Sequence, residues 1–339
     1  MSSVTSGGAT RGRHTGEDEE FDLESLVDEV VSRTAPFAFG RGIELVAHVA
    51  DGIPLAMRGD RRRLRWILFG MVSNAIRNTT GGEVVVRATA VIECNDAVMV
   101  RFDVEETENT AELGPSRGSS RLHADRGLDR IGACSAASSL AGLAGLAWHV
   151  EQHHEESGPG VGCRTWVTVP LARDRSEAPL HMLFDSAEAD RLQGLRLLLV
   201  ESNRSAACSI EAHLGRYGTR IQRARNGAEA LDLAQAARAE GHLFDLVLVD
   251  VTRSLANNGD NNNDAAHVLI SGLGQAVAGG VVLLHAPGET IDLEHLTCPW
   301  VRGSLVKPIG RRRLIDTLLR CRDWHEKQLS LIPAGSPAR

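Results

Sequence analysis

Four short, continuous apolar runs in the C-terminal half constrain the fold of this chain most: residues 195–200 (LRLLLV), 245–251 (DLVLVDV), 280–284 and 304–306. Runs that are apolar on both faces and too short for helices suit strands buried on both sides, as in parallel sheets. Helical stretches at 203–217 and 227–239 and a short strand at 220–223 separate them. This alternation predicts a doubly wound, flavodoxin-like parallel sheet, with its ligand site at the carboxyl ends of the strands. Those ends carry Glu201-Ser202-Asn203 after the first strand, Asp250 after the third, His285-Ala286 after the fourth and Lys307-Pro308 after the fifth.

The N-terminal half follows a different plan. Residues 59–82, GDRRRLRWILFGMVSNAIRNTTGG, place Leu64, Ile67, Leu68, Met71, Val72, Ala75 and Ile76 on one helical stripe. Asp60 is the expected N-cap, and Thr79-Thr80-Gly81-Gly82 ends the helix. Asn74 sits inside the apolar run, where an amide either satisfies a core partner or faces a ligand. Around this helix the pattern predicts a helix over 21–34 (Leu23, Leu26, Val27, Val30 and Val31 on one face) and a strand over 42–49 (Ile43, Leu45, Ala47, Val49). It also predicts strands over 83–92 and 97–104, a polar irregular stretch over 105–126, a helix over 132–143, and a closing hairpin from 148–150 and 163–169. The expected organisation is a disordered arm at 1–20, a first domain at 21–173, a linker at 174–194, a second domain at 195–325 and a tail at 326–339.

At 339 residues the chain exceeds one typical domain. A net charge of -7 argues against a basic face for nucleic acid, and the chain has neither an 18-residue apolar span nor a hydrophobic signal core. A cytoplasmic protein is therefore expected. The scattered cysteines (Cys94, Cys134, Cys163, Cys208, Cys298, Cys321) form no CxxC pair and read as free buried thiols. His149, His153 and His154 read as a solvated loop rather than a metal site, because no third ligand element is placed. Asp260-Asn262-Asp264 starts like an EF-hand loop, but Ala265 and Ser271 stand where Gly and Glu are needed, so the reading is a polar loop.

The GD-x-x-RLRxIL…NAIxxT segment, with the FDL helix and GIEL strand before it, resembles the ATPase domain of histidine kinases. VESN, DLVLVD and KP resemble the receiver domain of two-component signalling. Together they make the chain similar to the back half of a hybrid histidine kinase. The resemblance implies a two-layer α/β sandwich of the kinase ATPase type, followed by the receiver. It implies Asp250 as phosphoacceptor and Lys307 as the cation facing the phosphoryl oxygens. Glu201, Asp250 and the Thr252 carbonyl would hold Mg²⁺. In the first domain it implies Asn74 as the ligand of Mg²⁺ bridging ATP phosphates and Arg77 where Lys is usual. Glu106 takes the place of the Asp that hydrogen-bonds the adenine amino group, and Thr107 follows it.

Departures from the pattern refine these expectations. Gly70 replaces the first Asn of the helix, Glu108 and Thr110 replace two loop glycines, and residues 129–134 lack the phosphate-cradling glycines. These changes argue against ordinary ATP affinity. Ser202 replaces the second metal acid and His285 the switch hydroxyl. No histidine helix of the phosphorylated type precedes the FDL segment, so self-phosphorylation in the usual way is not expected. The reading is a phosphorelay protein whose receiver takes a phosphoryl group from a partner histidine kinase or histidine phosphotransfer protein. Its ATPase-like domain is regulatory, and a response regulator is a further expected partner. Two alternatives stand beside it: a pseudo-kinase and pseudo-receiver scaffold, and an active ATP-dependent kinase acting on a histidine of another chain.

Overall fold

The computed structural model describes residues 19–51, 53–54, 56–93, 97–107, 149–153, 163–173, 190–254, 262–289 and 299–330. Its first unit runs β1 (Glu19–Asp22), α1 (Leu23–Phe39), β2 (Ile43–Val49), β3 (Ala56–Gly59), α2 (Arg61–Asn78), β4 (Gly82–Glu93), β5 (Ala97–Thr107), β6 (His149–His153) and β7 (Arg164–Arg173). The strands form a seven-stranded sheet in the order β1-β3-β7-β5-β4-β2, with β6 also paired to β7. β2 runs parallel to β4, and β4, β5 and β7 pair antiparallel. Both helices pack on one face, giving the expected α/β sandwich.

The seven apolar residues placed on the α2 stripe are its seven buried ones. Asp60 caps the helix by accepting the Arg63 N–H at 3.0 Å, and Thr79 closes it through an N–H donated to the Ala75 carbonyl at 3.0 Å. Beneath α1 and α2 lie Ile43, Leu45, Val84, Val86, Val100 and Phe102. Phe102 is fully buried, and its truncation to Ala would cost about 3–5 kcal/mol.

Several boundaries differ from expectation for physical reasons. Glu19 and Glu20, expected in the arm, pair with Gly59 and Arg58 in an edge ladder. α1 runs on to Phe39 through Pro36, because buried Ala35 and Ala38 continue its core stripe. Strand β5 extends through Thr107, so Glu105, Glu106 and Thr107 belong to a strand rather than to the irregular stretch. Acidic residues disfavour strands on propensity. Here Glu105 is matched by Arg87 across the ladder and by Arg164 at 3.1 Å. The predicted helix at 132–143 lies outside the described residues, as do Glu108, Thr110 and residues 129–134.

The second unit runs β8 (Arg196–Val200), α3 (Arg204–Gly215), β9 (Arg220–Ala224), α4 (Gly227–Ala239), β10 (Leu246–Asp250), α5 (Val251–Ser254), α6 (Asn262–Ala276), β11 (Val281–His285), β12 (Val301–Val306) and α7 (Arg311–Ser330). Its five strands are all parallel, in the order β12-β11-β10-β8-β9. In chain order this is the 2-1-3-4-5 arrangement of flavodoxin-like folds. Strand residues alternate between two cores: Leu198, Val200, Val247 and Val249 on one face, Leu197, Leu199, Leu246 and Leu248 on the other. That double burial explains the unbroken apolar runs. Gly280 enters β11 at φ +120, where a Cβ would sit 2.6 Å from the Trp300 carbonyl oxygen, so only glycine fits.

Leu192, at the end of the segment read as linker, packs into the second unit's core. The end of the Asn-rich run is helical, because α6 begins at Asn262. Cys163 and Cys321 are buried free thiols, whereas Cys208 is exposed on the outer side of α3, contrary to the expectation for all six.

Candidate functional site

β8 and β10 are neighbours, and β8 has β9 on its other side, so the strand order reverses at their carboxyl ends. A crevice forms at such a switch point. The sheet register delivers Glu201 and Asp250 to it from adjacent strands, both with 0% exposure. Lys307 arrives from the end of β12, 3% exposed and joined to Pro308 by a cis peptide bond. Its Nζ donates to Asp250 Oδ2 at 2.8 Å. It also lies 2.8 Å from Glu201 Oε2. The three predicted residues therefore meet at one point.

A fourth group was not foreseen. Glu44, on β2 of the other unit, accepts from Lys307 Nζ through Oε1 at 2.9 Å and is 1% exposed. The only trace of it in the sequence is the alternation of β2, which puts Glu44, Val46 and His48 opposite the core residues.

Burial works against the charge of Lys307, yet Glu44, Asp250 and Glu201 hold the ammonium protonated well above the ordinary lysine range. Burial pushes the Glu201 carboxyl up to about 7, against the pull of Lys307 and with Asp250 and Glu44 adding to the rise. Glu201 Oε1 accepts the Asn203 N–H at 2.8 Å. Its Oε2 is close to Nζ but accepts no hydrogen bond of directed geometry. A buried carboxylate oxygen without a directed donor suits a hard cation, and the remaining donors, the Asp250 carboxylate and backbone carbonyls, are of that type. Among the described residues no cluster of three His, Cys, Asp or Glu has metal-holding geometry, so protein carboxylates alone do not complete a cage.

Thr252 donates its N–H to Asp250 Oδ1 at 3.0 Å, fixing the carboxylate. Its hydroxyl donates to Glu289 Oε2 at 3.3 Å, and the same oxygen accepts the Ala286 N–H at 3.1 Å. His285, at the switch position, is half-buried and contacts the Ala286 carbonyl through Nδ1 at 3.1 Å.

The residues predicted for nucleotide are spread around the C-terminal end of α2. Asn74 is half-buried on the helix and Arg77 is exposed. Glu106 is 6% exposed and accepts the Thr79 hydroxyl at 3.3 Å, one turn beyond Asn74. Thr107 donates its hydroxyl to the Glu83 carbonyl at 3.4 Å. A side chain at Gly70 would meet open space, so its loss of the amide is not forced by packing. His149 and His153 lie in β6, and His154 is outside the described residues.

The helix-backed mixed sheet resembles the ATPase fold of histidine kinases, and the 2-1-3-4-5 parallel sheet resembles a receiver fold. No family model matches the chain. Its curated homologues are hybrid sensor histidine kinases. It is 25% identical over 325 residues to the sensory/regulatory protein RpfC of Xanthomonas campestris pv. campestris, across 88% of this chain and 44% of RpfC. It is 30% identical over 244 residues to the sensor protein GacS of Pseudomonas syringae pv. syringae, across 68% of this chain and 25% of GacS. The chain thus spans less than half the length of these relatives. The crystal structure of full-length ShkA in complex with AMPPNP shares the fold at a TM-score of 0.59 and 22% identity, covering 94% of this chain and 58% of ShkA. No helix among the described residues is long and apolar enough to cross a membrane.

Proposed function

We propose that this chain acts in a two-component phosphorelay, with Asp250 as the residue that accepts a phosphoryl group from a partner histidine kinase or histidine phosphotransfer protein. The observation that carries the reading is the buried Asp250 carboxylate, oriented by the Thr252 N–H and 2.8 Å from Lys307 Nζ at the strand-order switch point. A carboxylate so held is a nucleophile for phosphorus, and a neighbouring ammonium offsets charge on the transferred oxygens. Mg²⁺ bound by Glu201, Asp250 and the Thr252 carbonyl would neutralise further charge during transfer. The first unit acts as a regulatory domain. Asn74, Arg77, Glu106 and Thr107 remain its candidate nucleotide residues, and an active kinase would need saturable Mg-ATP binding that depends on Asn74. A scaffold role would leave Asp250 unlabelled.

The test is acetyl-phosphate labelling of the full chain with Mg²⁺. An acid-labile label is expected on the wild type and absent from Asp250→Asn. An unlabelled wild type would sink the reading.

A further inference from the structure

The sheet face opposite α1 and α2 is covered by the second unit. Along β2 and β4, the side chains of Glu44, Val46, Glu83 and Val85 point this way. Val46 and Val85 pack against Ala206 of α3. Glu83 accepts from Asn203 Nδ2 at 2.8 Å and from the Ser205 hydroxyl at 2.7 Å. The Ser209 hydroxyl donates to the Ala47 carbonyl at 2.7 Å, and Arg311 donates to Glu24 at 2.7 Å. The contact therefore covers both the loop that carries Glu201 and the residues flanking Lys307. Its consequence is the position of Glu44.

An ammonium offers three hydrogens. Two of those of Lys307 are donated to Asp250 and Glu44 at 2.8 and 2.9 Å, and Glu201 Oε2 closes the remaining side at 2.8 Å without accepting a directed bond. Three carboxylates thus enclose the ammonium where a phosphoryl oxygen would have to approach it. The Ala286 N–H just after β11 and the Thr252 hydroxyl on α5 are likewise held by Glu289.

We propose that Glu44 is a built-in competitor of the phosphoryl group, so that docking of the ATPase-like sheet and phosphorylation of Asp250 exclude one another. This rests on the reading of Asp250 as phosphoacceptor. In the transfer, an Asp250 oxygen bonds to phosphorus as the bond from phosphorus to the donor breaks, P–N for a histidine donor and P–O for acetyl phosphate, and the donor leaves with that electron pair. For acetyl phosphate the leaving group is acetate. The product adds negative charge within a few ångströms of a buried carboxylate that already shares the single lysine. Two anions then compete for one cation in a dry site, and Glu44 must leave. Its departure frees the face formed by Glu44, Val46, Glu83 and Val85. Because coupling between two equilibria is reciprocal, docking disfavours the phosphorylated form by the factor by which phosphorylation weakens docking.

The experiment compares initial acetyl-phosphate labelling rates of the full-length wild type, Glu44→Gln, Glu83→Ala and Asp250→Asn in Mg²⁺, with small-angle scattering before and after labelling. Glu83→Ala loosens docking without touching Lys307, so it serves even if emptying the Glu44 site disturbs the fold. Only the undocked form takes the label, so the initial rate follows its population, and labelling roughly 5- to 150-fold faster in Glu44→Gln and Glu83→Ala is expected. The labelled wild type should also show a larger radius of gyration. Label that depends on Asp250 but appears at the wild-type rate in both variants overturns the competition and leaves the phosphoacceptor standing. No label on any variant overturns both.

Discussion

Replacing Lys307 by Met tests whether the ion cluster holds the two units together. The side chain is 3% exposed, and its partners Glu44, Glu201 and Asp250 are 1%, 0% and 0% exposed. At an effective dielectric of about 20, one contact near 2.8 Å corresponds to roughly 6 kcal/mol of Coulomb attraction before desolvation is subtracted. The net cost of removing one partner from a buried ion pair is about 3–5 kcal/mol, because the other charge stays buried without a counter-ion. Lys307→Met strands three carboxylates, so the upper part of that range is expected. The decisive feature is a sign change. In the wild type, Glu44→Gln loses a charge-assisted hydrogen bond and should cost about 1.5–3 kcal/mol. In the Lys307→Met background the same substitution removes a stranded charge and should stabilise. Urea unfolding of the full chain, followed by far-ultraviolet circular dichroism and fitted to its first transition, measures all four corners of the cycle. If Glu44→Gln destabilised both backgrounds equally, the Glu44–Lys307 contact would carry no coupling and the reasoning would be wrong.

Two further predictions follow the same interface. A Cβ at Gly310 would stand 2.2 Å from Asp28 Oδ2, so Gly310→Ala should cost about 1–3 kcal/mol and lower the first thermal midpoint by several degrees. Adding Asp28→Ala should remove most of that cost; an undiminished cost would place the clash elsewhere. Burial, with neighbouring Glu24 adding, pushes the Asp28 carboxyl up to about 7, against the pull of Arg313 and Arg311. A carboxyl with a raised folded pKa favours the fold at low pH, and that contribution fades as pH climbs from about 4 through about 7. Asp28 keeps some solvent contact, which discounts the effect. Asp28→Asn should therefore stabilise the protein by about 1–2 kcal/mol near pH 8, with the difference vanishing near pH 4. Urea midpoints at the two pH values check this, and a difference independent of pH would refute it.

The legibility of the sequence followed the range of the interactions involved. The α2 stripe, its Asp60 cap and its Thr79 stop are local, and the helix formed as its spacing predicts. The parallel strands were equally plain, since burial on both faces leaves no polar alternation to confuse the pattern. Strand β3 was harder, because it is four residues long with Met57 as its one buried side chain. The end of β5 was hidden because its acidic residues are neutralised by Arg87 and Arg164, partners distant in the chain.

The sequence by itself determined the parallel sheet and the long strands of the other, and it marked Glu201, Asp250 and Lys307 because a doubly wound sheet places strand ends together whatever else surrounds them. Tertiary structure alone decided what occupies the lysine. Glu44 lies 263 positions from Lys307 along the chain, on the outer face of a strand whose inner face satisfies every local rule. Nothing in local propensity says whether such a face meets water or a second domain. That depends on whether Val46, Val85 and Glu83 find matching partners on α3, which is a property of two folded surfaces rather than of either segment.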